Sequence, residues 1–444
     1  MKIASIILFI LFSINTNASE FFFEKDQSLP LVNINIALKG GSTQDPEGKN
    51  GVTDLMSRLI LRGTKSKTKQ QIDLTLDQLG GQLGTETRGE FMVIRGSVLS
   101  ENLPAFLNLI EEILITPSFS QKEFEKLKKE QISNLMENLD NDQKLMRTKF
   151  DSIIFKGHPF SKINHGTIKD ITSLTITDIQ NQYKKIINQS RMLILASGDT
   201  EKTAFSAFQK KVDEKLNSNT QIDVIEPFKN YPHKIKVVLI DKPDRTQTQI
   251  SIAQRGSSFT NPSLDAIQIG NFAFGGGTFL SKLMVELRVK RGWTYGAGSA
   301  FKMASQPHSW RVSFFPKNAD TPAAIKETLR LLTDLRDHGI TQAEFEAAKS
   351  SMINSAGFNF NTPEKRIENL MVEKIFNLPE GYHKNFAKRI SDISLEDVNQ
   401  ALKKFIEPDH VIIGLVATAS ITKAALAKEL GIKEANIEIV DYTF

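Results

Sequence analysis

The sequence predicts an α+β protein made of two homologous halves, each a β-sheet covered on one face by helices. Three observations predict it. At 444 residues the chain is about three times the usual domain size, so more than one core is expected. A segment near the start is written again near the middle: Ile34-Asn-Ile36-Ala37-Leu-Lys39-Gly40-Gly-Ser42 is answered by Ile250-Ser-Ile252-Ala253-Gln-Arg255-Gly256-Ser-Ser258. From Ile34 to Ile250 the offset is 216 residues, and Pro46 and Pro262 keep it. Late in each half, Asp178 with Lys184-Lys185 answers Asp397 with Lys403-Lys404, an offset of 219. Two segments far apart in the chain thus hold register to within three residues, as an internal repeat does.

In chain order, Met1 and Lys2 precede an apolar run from Ile3 to Ile14, broken only by Ser5 and Ser13, and then Asn15-Thr16-Asn17-Ala18-Ser19. A charge, an apolar run too short to span a bilayer and a Thr-x-Ala step read as a secretory signal cleaved after Ala18. The mature chain is therefore expected to be periplasmic, with no stable membrane span. Each repeat then opens with a strand of period two: Val32, Ile34, Ile36 and Leu38 alternate with less apolar positions, as do Ile250 and Ile252. A long helical stretch follows in each half. A second strand closes each repeat, Met192 to Ala196 in the first and Val411 to Val416 in the second. The joint falls within Asn217 to His233, where Ser-Asn-Thr, two prolines and mixed charge interrupt the pattern. Expected domains are residues 19–225 and 234–444 with a linker at 226–233, and a further division near the Asp199 to Glu201 turn.

The charge is mild. Formal net charge is +5, and removal of the signal takes Lys2 and no acid, leaving +4. Basic and acidic residues alternate and no basic patch is interleaved with aromatics, so a nucleic-acid partner is not expected. The chain has no cysteine, which excludes disulfides, lipid attachment at an N-terminal Cys, thiol catalysis and thiolate metal sites together.

The chemistry is concentrated in two motifs. The first is Pro46-Glu-Gly-Lys-Asn-Gly51-Val-Thr-Asp54-Leu-Met-Ser57-Arg58-Leu-Ile-Leu-Arg62-Gly63-Thr64. It resembles, almost position for position, the zinc-site helix of the pitrilysin/insulinase family, in particular its mitochondrial-processing-peptidase-like branch. That family has His-x-x-Glu-His between the two glycines, two histidines as ligands and the glutamate as general base. Histidines at i and i+4 share one helix face and can hold one tetrahedral zinc. Here those three positions are Asp54, Ser57 and Arg58. Arginine is permanently cationic and repels a metal ion, and serine cannot act as the base. The family's third ligand, a glutamate on a later helix, falls at Asn134 by ungapped counting, with Glu130 and Glu137 about one turn to either side. The seven histidines contain no i, i+4 pair. No metal is expected on this chain.

The second motif is Phe274-Gly275-Gly276-Gly277-Thr278-Phe279-Leu280-Ser281-Lys282-Leu283-Met284-Val285-Glu286-Leu287-Arg288-Val289-Lys290-Arg291-Gly292-Trp293-Thr294-Tyr295. Leu280, Leu283, Met284 and Leu287 recur at i, i+3, i+4 and i+7, which predicts an amphipathic helix of about three turns that Gly292 ends. Lys282 is not followed by Ser or Thr, so a phosphate loop is not indicated. This segment resembles the same family's second signature, an arginine and a tyrosine seven residues apart after a glycine-rich loop. By that resemblance, Arg288 and Tyr295 bind the substrate backbone and polarise the scissile carbonyl, and Gly275, Gly276 and Gly277 form the loop that contacts substrate. The residue types suit the role: a fixed cation and a phenol donor stabilise a developing oxyanion without exchanging a proton with solvent.

The resemblance extends over residues 28 to 440, with Gly157-His158-Pro159-Phe160 and Asn377-Leu378-Pro379 among its further segments. It implies one half of a clamshell. Some members of the family divide the active site between a zinc-bearing chain and an Arg/Tyr chain, and this chain has the second inventory without the first. The implied arrangement is a heterodimer with a zinc-bearing homologous subunit that cleaves an unfolded peptide, this chain being no enzyme in isolation. The alternative is a catalytically dead protein of the same fold that holds peptides or serves in an assembly.

Overall fold

A computed structural model describes residues 18–218, 222–277 and 279–443. The expected export signal thus lies, but for Ala18, outside the described residues, as do three residues of the expected joint. Two mixed sheets carry the fold. The first comprises β1 (Glu20–Lys25), β2 (Leu31–Lys39), β3 (Gln82–Thr87), β4 (Phe91–Leu99) and β5 (Met192–Gly198), in the spatial order β1-β5-β2-β4-β3. The second comprises β6 (Lys236–Asp241), β7 (Gln249–Arg255), β8 (Ala297–Lys302), β9 (Ser309–Phe314), β10 (Ile412–Ala417) and β11 (Ile437–Asp441), in the order β11-β6-β10-β7-β9-β8.

The written repeat is a repeat of topology. In each sheet the entering strand lies parallel to the closing one, β1 on β5 and β6 on β10. The period-two strand then pairs antiparallel with that closing strand, β2 on β5 and β7 on β10. A hairpin completes each sheet, β3–β4 and β8–β9. Only β11, parallel to β6, has no counterpart. Each half therefore opens one strand earlier than its alternation announces. Neither early strand alternates: β1 runs Phe21-Phe22-Phe23, and Val237 to Ile240 are all buried, so neither carries the period-two signal.

On the inner face of β2, Val32, Ile34, Ile36 and Leu38 are each at most 1% exposed and pack with Phe106, Ile110 and Leu127 from the covering helices. The other face is not bare, which corrects the expectation of helices on one side. The Pro363–Ile375 helix, from the second half of the chain, lays Ile367, Met371 and Ile375 over Ala37, Val93, Leu193 and Leu195 of the first sheet. Reciprocally, the Asp142–Ile154 helix of the first half sets Leu145, Met146, Phe150 and Ile154 against Val238, Ile240, Ile412 and Val416 of the second sheet. A Cβ on Gly414 would come within 2.5 Å of the Phe150 ring, so glycine in β10 is what admits that ring. Each such buried side chain contributes about 1.5–3 kcal/mol.

Polar contacts tie the exchanged helix and the two halves together: Arg95 to Glu368 at 2.9 Å, Asn33 Nδ2 to Glu364 at 2.6 Å, and the Ser305 N–H to Glu90 at 2.8 Å. The connector is anchored too. Phe228 is buried, its ring 5.1 Å from that of Phe155, and the Tyr231 hydroxyl donates to the carbonyl of His308. This aromatic cluster also takes up His158 and Phe160 and so accounts for the Gly157-His158-Pro159-Phe160 segment.

Candidate functional site

The first motif folds into the Val52–Leu59 helix. Gly51 precedes it in the left-handed region, φ 86°, and any Cβ there would come within 2.8 Å of the backbone of Gly166. The buried Asp45 carboxylate accepts from the N–H groups of Gly51 at 2.8 Å and Thr53 at 3.2 Å. It thereby satisfies donors that a helix N-terminus leaves open and fixes the helix direction.

That helix aims Asp54 and Arg58 at the Gln121–Asp140 helix and at the loop carrying His165. The Arg58 guanidinium donates to Gln131 Oε1 at 2.5 Å, lies 3.7 Å from Asp54 Oδ2 and stands 4.0 Å from Glu130. Glu130 is held in turn by Arg62 at 2.5 Å. On the other side of Asp54, His165 Nδ1 lies 3.4 Å from the carboxylate, and Gln131 Nε2 donates to the His165 carbonyl at 2.9 Å. The hydrogen bond to Asp54 raises the His165 pKa, against the effect of burial. Ser57 is fully buried, its hydroxyl donating to the Asp54 carbonyl at 2.8 Å and standing 3.2 Å from Thr85 Oγ1 on the edge strand β3.

A zinc ion does not fit this arrangement. A guanidinium is surrounded by an amide and carboxylates where a cation would be bound, so the protein supplies its own positive charge, and no residue among Asp54, Ser57 and Arg58 brings an imidazole. The count that led to Asn134 is corrected here. Asn134 is exposed on the Gln121–Asp140 helix, and the side chains of that helix that reach Arg58 are Glu130 and Gln131, four and three residues earlier. Sequence reasoning also passed over Gln131 and His165, because a glutamine and an isolated histidine carry no ligand spacing.

The second motif departs from a regular helix. Residues Met284–Lys290 are wound as a π-helix, and so are Phe272–Gly276. Leu283 and Leu287 are fully buried as expected, but Leu280 is 85% exposed, because the regular spacing does not continue back to it. Gly292 ends the segment with φ 65°; its N–H donates to Arg288 O at 3.0 Å, and that of Trp293 to Leu287 O at 3.0 Å.

The cations of this segment fall into two groups. Lys282 is paired with Asp334 at 2.8 Å, Lys290 with Glu286 at 2.6 Å, and Arg291 with Glu286 at 2.7 Å and Glu327 at 2.9 Å. Arg288 has no carboxylate within ion-pair distance among the described residues; its guanidinium lies over the ring of Phe279, 4.7 Å from the centroid. Tyr295 is 79% exposed. Both functional groups are left open to something outside the chain's own packing.

Of the three glycines, Gly275 is buried against β8, where a Cβ would sit 2.8 Å from the Ser299 nitrogen, and Gly276 is exposed. Gly277 is half-buried. Gly275 lines a cavity of about 650 Å³ between the halves, and His165 lines it too. The structure thus brings the glycine loop and the flank of the Asp54–Arg58 cluster to one cavity. It does not bring Arg288 or Tyr295 into it.

Sequence reasoning missed the polar centre of that cavity. Asp151 is bound by Arg311 and by Lys302 at 2.7 Å, with His308 Nε2 at 4.0 Å. Burial pushes the Asp151 carboxyl up, but Arg311 above all, then Lys302 and His308, hold it well below the usual carboxylate range. Burial pushes the His308 imidazole down to about 3. Lys302, His308 and Arg311 come from the β8–β9 hairpin and Asp151 from the Asp142–Ile154 helix, 151 residues before Lys302 in sequence, and no local signal joins the two.

A family model described as insulinase (peptidase family M16) matches residues 21–167, and one described as peptidase M16 inactive domain matches residues 173–352. Among curated proteins, the non-peptidase homolog YmxG of Helicobacter pylori (strain ATCC 700392 / 26695) is 21% identical over 410 residues, covering 91% of this chain and 93% of its own. A probable mitochondrial-processing peptidase subunit beta of Arabidopsis thaliana is 22% identical over 250 residues, covering 55% of this chain and 46% of its own. In fold, the chain resembles the crystal structure of a peptidase M16 inactive domain from Pseudomonas fluorescens, with a TM-score of 0.82 at 23% identity over 90% of this chain and 95% of that one.

Proposed function

We propose, for a chain that belongs to the insulinase family of M16 peptidases, the role of a zinc-less subunit in a two-chain metalloendopeptidase. The observation that carries this reading is a division within the chain. At the position of the metal site, Arg58 is engaged with Asp54, Glu130 and Gln131, whereas Arg288, alone of its neighbouring cations, lacks an acid partner among the described residues. One half of the catalytic inventory is closed off and the other is presented.

In this reading the chain is a half-shell that closes on a zinc-bearing homologous subunit in the periplasm. An unfolded peptide enters between them and adds a strand to a sheet edge through main-chain hydrogen bonds; β3 and β8 are edge strands of the two sheets. The metal and the attacking water belong to the partner. What this chain contributes is position and charge: the Arg288 guanidinium and the Tyr295 hydroxyl donate to the scissile carbonyl oxygen and hold it as charge develops. A second reading, a peptide-holding protein without a catalytic partner, is supported by the similarity to the H. pylori non-peptidase homolog.

One experiment separates the two. The chain is co-expressed with a zinc-bearing homologue from the same genome, and cleavage of an unstructured peptide is compared for each chain alone and for the mixture. The expected result is turnover in the mixture at least about a hundredfold above the sum of the separate chains, since a donor pair of this kind is worth about two to three orders of magnitude in rate. Turnover by the partner alone equal to that of the mixture would sink the two-chain reading.

A further inference from the structure

The cavity between the halves has a charge that neither motif explains. Its walls carry four permanent cations, Arg147, Lys162, Lys302 and Arg311, together with His165, and a single carboxylate, Asp151. The pairing within it does not cancel this excess. Asp151 is shared by Arg311 and Lys302, so one negative charge stands against two positive ones. Lys162 is paired at 2.8 Å with Glu47, whose own side chain is 99% exposed. Arg147 has no acid within ion-pair distance among the described residues and is exposed. The acid behind His165 is Asp54, already placed between His165 and Arg58.

The charges are also held in place. The side chains of Arg311 and Lys162 are only 14% and 13% exposed, so their heads are fixed in the walls rather than waving in solvent. A concave surface of one sign, with poorly polarisable walls, focuses its field into the opening and raises the local concentration of the opposite charge. The cavity is large enough for several side chains, and its floor includes Ser299 and Phe301 of edge strand β8, where an extended peptide can lie.

We propose that this cavity is a specificity site for acidic peptide segments, in which Arg147, Lys302 and Lys162 receive Asp and Glu side chains of the bound polypeptide. The inference rests on the peptide-binding part of the proposed function and names the substrate class. Lys302 and Arg311 also serve Asp151, so the ligand-facing role falls first on Arg147, which has no structural duty to lose.

The test uses the purified full-length chain without any partner. Fluorescently labelled unstructured peptides of equal length, one Glu/Asp-rich, one Lys-rich and one Gly/Ser-rich, are titrated by anisotropy at low and high salt. The acidic peptide should bind about tenfold or more tightly than the Lys-rich one at low salt, with the preference shrinking as salt screens it. Arg147→Glu should weaken the acidic peptide about three- to tenfold and leave the Gly/Ser-rich one unchanged; far-ultraviolet circular dichroism checks that the variant is folded. Equal binding of all three peptides, or tighter binding of the Lys-rich one, would overturn the acidic preference while leaving peptide binding intact. Absence of binding by any of them would overturn the inference outright, and the mixing experiment above would judge the two-chain reading by itself.

Discussion

Arg288→Ala, introduced into the mixed two-chain assembly, is expected to lower kcat for an unstructured peptide by about a hundredfold, and Tyr295→Phe by about tenfold or more. In the proposed role both side chains act where charge develops, so the loss should fall on kcat and on kcat/KM together rather than on KM alone. Arg288→Lys should recover only part of the rate, because an ammonium is a point charge and cannot offer the two parallel donors of a guanidinium. Folding should not be affected. Tyr295 is 79% exposed and Arg288 contributes only its position over Phe279, so the denaturation midpoints of the variants should match that of the parent. A full rate with either Arg288→Ala or Tyr295→Phe would remove the case for catalysis across the subunit boundary.

The second large effect concerns stability. Asp151→Ala should cost about 3–5 kcal/mol, because it leaves the nearly buried Arg311 guanidinium and the Lys302 ammonium without their common counter-ion. The loss is read from the midpoint of urea unfolding at constant slope. The pH dependence gives an independent check. The Asp151 carboxyl titrates well below its ordinary range in the folded chain because Arg311 and Lys302 outweigh burial. Its stabilising contribution is therefore present above the ordinary carboxylate pKa of about 3.9 and is lost as pH falls towards the lower folded value. Asp151→Ala should flatten that acid limb of the stability curve. A variant as stable as the parent would show that Arg311 and Lys302 are hydrated and that the cavity is wet at this end.

What the sequence made legible was what repeats or obeys a local period. Ile34 to Ser42 and Ile250 to Ser258 announced two related halves, and the alternation of Val32, Ile34, Ile36 and Leu38 gave the inner face of β2 without error. The assignment of Asp54, Ser57 and Arg58 to the metal-site positions came from the family resemblance, and helix periodicity placed Asp54 and Arg58 on one face, where they lie 3.7 Å apart. Two other inferences needed information that local pattern does not contain. The position of Asn134 depended on counting across loops of unknown length, and the helix in fact turns Glu130 and Gln131 towards Arg58 and leaves Asn134 exposed. Leu280 was assigned to a buried stripe because its apolar spacing continues that of Leu283 and Leu287, whereas the chain is still in a turn at Leu280 and winds up only after it. The exchanged helices illustrate the same limit. Leu145, Met146, Phe150 and Ile154 mark a buried face, but the sequence does not say that the face is covered by strands encoded after residue 235. The Asp151–Arg311–Lys302 centre is a purely tertiary object.

That exchange constrains how the chain can come into being. During synthesis the first sheet is complete at β5, yet Ala37, Val93, Leu193 and Leu195 stay uncovered until Ile367, Met371 and Ile375 follow, and the Asp142–Ile154 helix must wait for the second sheet before its own apolar side is buried. Neither half is a finished folding unit. Calorimetry should therefore record one cooperative transition instead of two, and chains ending before residue 363 should be captured by chaperones or aggregate through the uncovered sheet face. In the proposed two-chain arrangement, motion around a bound peptide would be hinged between chains, since within this one the two halves are fastened by each other's helices.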